Sequence, residues 1–137
     1  MKSFFSFTYF YKIFNYNVDF PIFYKDVYNC DFIILTLDPE YNKEYKNRKV
    51  TGSAQLSYGF VKPVLINENF KNIYNITSEN SFIYNEKNFY NIMKNAINQS
   101  NKDYKIMQHN LLMLTYKIHQ NSILNMKKTF NSILIKN

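Results

Sequence analysis

The chain has 137 residues, room for one domain and too few for two of ordinary size. Hydrophobic residues make up 46% of it, enough to fill one core and to exclude disorder for want of apolar surface. A formal net charge of +7 favours an anionic partner, RNA or an acidic membrane surface, and a single cysteine, Cys30, excludes both an internal disulfide and a cysteine-based zinc cluster.

Thirteen Tyr and thirteen Phe bring the aromatic share to 19%, more than a domain of this size keeps covered. Rings left on the surface mark contact with protein or with unpaired nucleic-acid bases. Heavy use of Asn, Lys, Ile, Tyr and Phe, with two glycines, no tryptophan and Arg48 as the one arginine, is the composition an AT-rich genome writes. Lysine then stands where arginine would in a less biased sequence, so scarce arginine does not exclude RNA.

In chain order, residues 1–30 read as an extended aromatic arm. Lys2 followed by Phe4, Phe5, Phe7, Tyr9, Phe10 and Tyr11 imitates a secretory signal, but Lys12 interrupts the run, no small-residue cleavage site follows and an arginine-rich transit peptide is absent. Pro21 breaks continuous structure, leaving at most a short strand over residues 22–24.

Residues 31–100 read as an α+β domain. Phe32, Ile33, Ile34, Leu35, Thr36 and Leu37 form an apolar, β-branched run closed by Asp38 and Pro39, a buried strand ending in a turn. A polar loop over residues 41–49 leads to a half-buried strand over 50–58, where Ala54, Leu56 and Tyr58 alternate with Gln55 and Ser57. Gly59 permits a bend, and Pro63 places the following extended piece, residues 60–66, at a sheet edge. Two shorter strands are expected over 73–77 and 81–84. From Asn88 the period changes, and Phe89, Ile92, Met93, Ala96 and Ile97 predict a helix that closes the sheet. The expected fold class is therefore α+β: an antiparallel or mixed sheet of about four to five strands packed by one helix, with the N-terminal arm and a C-terminal helical extension.

That extension covers residues 101–137. Tyr104, Met107, Leu111, Leu114 and Ile118 recur at steps of three and four, a seam suited to another helix or to a partner groove. Ser122 is placed to cap a further helix whose face carries Ile123, Phe130, Ile133 and Leu134. No stretch approaches the eighteen apolar residues of a membrane span.

Chemistry is sparse. His109 and His119 are ten positions apart and point in different directions on one helix, so they make no metal pair. Asp38 and Glu40 flank Pro39 as turn residues, no serine sits in a glycine-flanked elbow, and two glycines cannot assemble a phosphate-binding loop. No catalytic residue, metal site or cofactor is expected, and the chain reads as a non-enzyme. The candidate RNA-binding residues are Lys43, Lys46, Arg48 and Lys49, which share one loop with Tyr41 and Tyr45, together with Lys62 and the pair Lys127 and Lys128. Lysines would neutralise phosphates while tyrosines stack on bases.

Leu56, Ser57, Tyr58, Gly59, Phe60, Val61, Lys62, Pro63 and Val64 resemble a segment of bacterial-type large-subunit ribosomal protein six. The resemblance extends over residues 31–100 as that family's second domain, with residues 76–84 similar to its paired strands and 88–97 to the helix after them. The family's glycine-rich basic C-terminal segment has no counterpart here, so no RNA contact carries over from it. The resemblance implies an architectural protein of the large ribosomal subunit, in a mitochondrion with an AT-rich genome and compatible with organelle encoding, whose partners are ribosomal RNA and ribosomal proteins. The other expectation is a soluble accessory subunit of a mitochondrial respiratory-chain complex, held by protein neighbours through the aromatic arm and the C-terminal helix.

Overall fold

A computed structural model describes residues 19–46 and 49–134. The elements are α1 (Phe20–Asn29), β1 (Ile33–Ile34), a single 3-10 turn (Lys43–Lys46), α2 (Gly52–Phe60), β2 (Val64–Asn67), β3 (Phe82–Tyr84), α3 (Phe89–Asn98) and α4 (Asn101–Leu134). The strands form a three-stranded sheet in the order β1-β2-β3, and both pairings are parallel.

This corrects the expected antiparallel or mixed sheet of four to five strands. A hairpin needs a connection of two to five residues, whereas here α2 separates β1 from β2 and a run of turns separates β2 from β3. Each connection is long enough to carry the chain back to its starting end, so every strand points the same way. All four residues of β2 are buried, the pattern of a parallel strand covered on both faces. Pro63 accordingly precedes the central strand and not an edge: its missing N–H falls outside the ladder, and its carbonyl accepts from the Ile33 N–H at 3.1 Å.

The expected strand over 50–58 is α2. Thr51 caps it, its hydroxyl accepting from the Ser53 N–H at 3.3 Å, and the buried pair Ala54 and Ser57 are spaced for a helix face. Burying Ser57 is offset by its hydroxyl donating to the Lys62 carbonyl at 2.7 Å. The helix ends in a Schellman arrangement: the Lys62 N–H bonds the Ser57 carbonyl at 3.0 Å and the Val61 N–H the Tyr58 carbonyl at 3.4 Å. Val61 adopts the left-handed conformation this requires, at φ 52° and ψ 48°. Gly59, expected to allow a bend, lies inside the helix.

Two further expectations change. The part of the N-terminal arm that is described, from Phe20, is the helix α1, with Pro21 in its first turn, where a missing N–H costs nothing; residues 1–18 lie outside the described residues. Residues 73–75 are turn, with Asn75 at φ 51°, and 76–77 are irregular, so no strand forms there. Much of the asparagine serves such turns: the Asn67 side-chain oxygen accepts from the Asn69 N–H at 3.0 Å and that of Asn80 from the Thr77 N–H at 3.0 Å.

The core gathers Leu35, Leu37, Ala54, Val64, Ile66 and Phe70, with Tyr74, Ile76 and Leu111 completing it. Of the two expectations for the seam of α4, another helix or a partner groove, the described residues show the first: Tyr104, Met107 and Leu111 are buried, and α4 lies against α2. The side-chain amide of Gln108 donates to the Val61 carbonyl at 3.2 Å, holding α4 to the end of α2. On the other face of the sheet the register aligns Ile34, Leu65 and Phe82. The helix α3 packs on β3, with Phe89 edge-on to Tyr84 at 4.8 Å. Of its five expected core residues only Ala96 is fully buried, so α4 contributes more to the closure than α3.

Candidate nucleic-acid interface

In a parallel sheet the groups that bind ligands cluster beyond the carboxyl ends of the strands, in the crevice made where strand order reverses. Among the described residues the order β1-β2-β3 never reverses, so they form no such crevice. A cleft of about 430 Å³ is lined by Ser81, Phe82, Ile92, Gln99, Asp103 and Met107, among others. Its carboxylate is occupied with structure: Ser100 Oγ donates to Asp103 Oδ2 at 2.6 Å and accepts from the Asp103 N–H at 3.1 Å, the cap of α4.

Asp38, four residues beyond β1, accepts from the Glu40 and Tyr41 N–H groups at 2.7 and 3.1 Å, a turn bond and not an acid-base arrangement. Cys30 Sγ donates to the Val27 carbonyl at 3.1 Å, and burial raises the thiol to about 11, offset in part by the Lys62 ammonium. A thiol held protonated is a poor nucleophile. Among the described residues no three His, Cys, Asp or Glu side chains gather where a metal ion would sit. No helix among them is long and apolar enough to cross a membrane.

The basic candidates are dispersed. Lys43, Lys46 and Lys49 follow β1 at the carboxyl end of the sheet, on and beside the 3-10 turn. Lys46 Nζ lies 5.8 Å from the Phe70 ring centroid and Lys49 Nζ 5.9 Å from that of Tyr45. Lys49 also reaches Glu44 at 3.5 Å. The Glu44 carboxyl is held below its ordinary range by its own backbone N–H first and by Lys49 after that. Arg48 lies outside the described residues. Lys62 sits at the opposite, amino end of the sheet, because α2 carries the chain back before β2 begins. It donates to the Tyr28 carbonyl at 2.7 Å, capping the carboxyl end of α1, and lies 5.6 Å from the Tyr28 ring centroid. Lys127 and Lys128 are exposed near the far end of α4.

Two features escaped the sequence reading. The first is on α1, where Phe20, Tyr24 and Tyr28 recur every fourth residue and are 74%, 46% and 70% exposed. Phe20 and Tyr24 are stacked at 6.1 Å, and Phe60 at the end of α2 stacks on Tyr24 at 5.9 Å, with the planes inclined by 23° and 22°. The spacing was visible, but Pro21 was read as a breaker instead of a first-turn residue. The second is charge segregation. Residues 104–137 hold Lys105, Lys117, Lys127, Lys128 and Lys136 and not one Asp or Glu, so they carry five of the seven net positive charges.

Comparison with known proteins finds no family model, no curated protein and no solved structure that matches this chain.

Proposed function

We propose that the chain is a structural, non-catalytic constituent of a large ribonucleoprotein, a mitochondrial large-subunit ribosomal protein that contacts ribosomal RNA and neighbouring proteins. The observation that carries this reading is the distal part of α4. The helix has 34 residues, about 50 Å of rise, and only its first half is held by the body. Beyond it Leu112, Tyr116, Ile123, Met126, Phe130 and Ile133 follow heptad spacing, with His119 completing the register. Leu112, Tyr116, Met126, Phe130 and Ile133 are each about half exposed or more. This seam is turned about 100° from the one that packs on α2, one residue's rotation. Lys117 and Lys128 lie on the back of the helix, away from the seam.

An isolated helix gains too little from propensity to stand alone in water, and exposed apolar rows mark interfaces. A helix with one apolar face and one acid-free basic face fits between a protein neighbour and a phosphate backbone. The resemblance around Leu56 and Val64 points to the same particle, but it falls on a helix end and a parallel strand, so it lends neither fold nor contacts.

Salt dependence of RNA binding tests the proposal. Affinity of the purified chain for RNA should fall steeply with salt, and Lys117→Ala with Lys128→Ala should make the logarithmic slope shallower by about two, one for each lost phosphate contact. Binding that ignores salt, or no binding, counts against it. The second reading, a soluble accessory subunit of a respiratory-chain complex, is favoured by the apolar seam, which needs a protein and not RNA to cover it.

A further inference from the structure

We infer that the ring ladder of α1, Phe20, Tyr24 and Phe60, is a stacking platform for unpaired RNA bases, an inference that rests on the RNA-contacting role proposed above. Phe20 has one ring face on Tyr24 yet is 74% exposed, which leaves its other face open to solvent. Tyr28 extends the row along the helix, 70% exposed and fixed at its carbonyl by Lys62.

A fixed flat apolar face is what a splayed base requires. The ladder is rigid on both sides: α1 is anchored by buried Val27 and Cys30, and Phe60 belongs to a helix capped at both ends. A base set against Phe20 therefore meets rings already aligned and gains stacking at little ordering cost.

Charge complementarity selects RNA over an apolar protein surface. On an α-helix of 100° per residue, Lys25 projects on the solvent side of the row, about 60° from Tyr28 and about 100° from Tyr24, whereas Asp26 projects about 160° from both; Asp19 precedes the helix as its N-cap residue. Lys62 closes the end of the row with its ammonium over Tyr28. Lys25 and Lys62 thus border the row at its Tyr28 end with Asp26 behind it, as a phosphate chain running beside stacked bases demands.

The test uses the full chain and two probes, a short single-stranded RNA of mixed sequence and the same strand in a perfect duplex. Phe20→Ala with Tyr24→Ala should weaken single-strand binding roughly tenfold or more while leaving duplex binding and the salt slope unchanged. Phe20→Tyr with Tyr24→Phe, which keeps both rings, should bind like the parent. Phe20 is exposed and Tyr24 half-exposed with a stack on Phe60, so circular dichroism should not move and the melting temperature should fall by only a few degrees. Salt-dependent RNA binding that the alanine variant retains on both probes overturns the platform and leaves the ribonucleoprotein reading standing; the rings then cover protein. Failure of the parent chain to bind either probe overturns both.

Discussion

The Tyr104 hydroxyl donates to the Asp31 carbonyl at 2.7 Å, tying the first turn of α4 to the entry of β1 across 73 positions of sequence. The same ring stands edge-on to Phe32 at 5.4 Å, and Phe32 edge-on to Phe82 at 5.2 Å, so one side chain joins the long helix to both outer strands of the sheet. Tyr104→Phe keeps the rings and removes only the bond. It should destabilise the chain by about 1 kcal/mol, measured by denaturant unfolding with an unchanged slope; Tyr104→Ala, which removes both, should cost about 3 kcal/mol or more.

Val61 is a β-branched residue in the left-handed region, where such residues are strained by roughly 1 to 2 kcal/mol. Val61→Gly removes that strain and sacrifices a half-buried side chain, so its stability should stay within about 1 kcal/mol of the parent. Val64→Gly, three residues on in the buried central strand, should cost about 3 kcal/mol or more. Equal losses at the two sites would mean that α2 does not end as described.

The contrast between α2 and α3 shows what the sequence made legible. Phe89 to Ile97 carried a helical period and nothing that competed with it. Residues 50–58 carried two periods at once. Ala54, Leu56 and Tyr58 alternate like a strand, while the helical face is marked only by Ala54 and by Ser57, a polar residue whose burial depends on a bond to the Lys62 carbonyl five positions away. No local pattern announces that bond. The left-handed stop fell on Val61, with a glycine two residues earlier to mislead. Parallel pairing was equally hidden, since it follows from connection lengths that the misread strand had shortened. Of the candidate site, the lysines were legible as charges, but their separation to opposite ends of the sheet depends on α2 being a helix.

β2 is the centre of the fold, so its contacts should dominate stability. Ile66 and Phe70 have no exposed surface. Ile66→Ala should cost about 2 to 5 kcal/mol and Phe70→Ala about 3 to 5 kcal/mol, against less than about 0.5 kcal/mol for an exposed change such as Tyr41→Ala. Thermal unfolding checks the order.

Alkaline pH should destabilise the protein through its buried tyrosines and Cys30. Burial raises Tyr58 to about 12, with neighbouring Tyr74 adding to it, and burial raises Cys30 to about 11. Tyr74, Tyr84 and Tyr104 shift upward as well, again chiefly through burial. Each group keeps its proton longer folded than unfolded, so the folded state binds more protons above the unfolded values. Their stabilising contribution is complete below about pH 9 and is lost as pH rises towards 12. Tyrosinate absorbance should therefore show a late step that coincides with loss of helix signal; completion of the absorbance rise ahead of unfolding would contradict the burial.

The most direct test of the proposed assembly role is sedimentation of the native protein from lysed cells under conditions that split ribosomes, mitochondrial ones included, into subunits. The protein should migrate with the large ribosomal subunit, and raising salt should release it as its phosphate contacts weaken. Migration with detergent-solubilised respiratory complexes, or as free protein at low salt, would contradict the account.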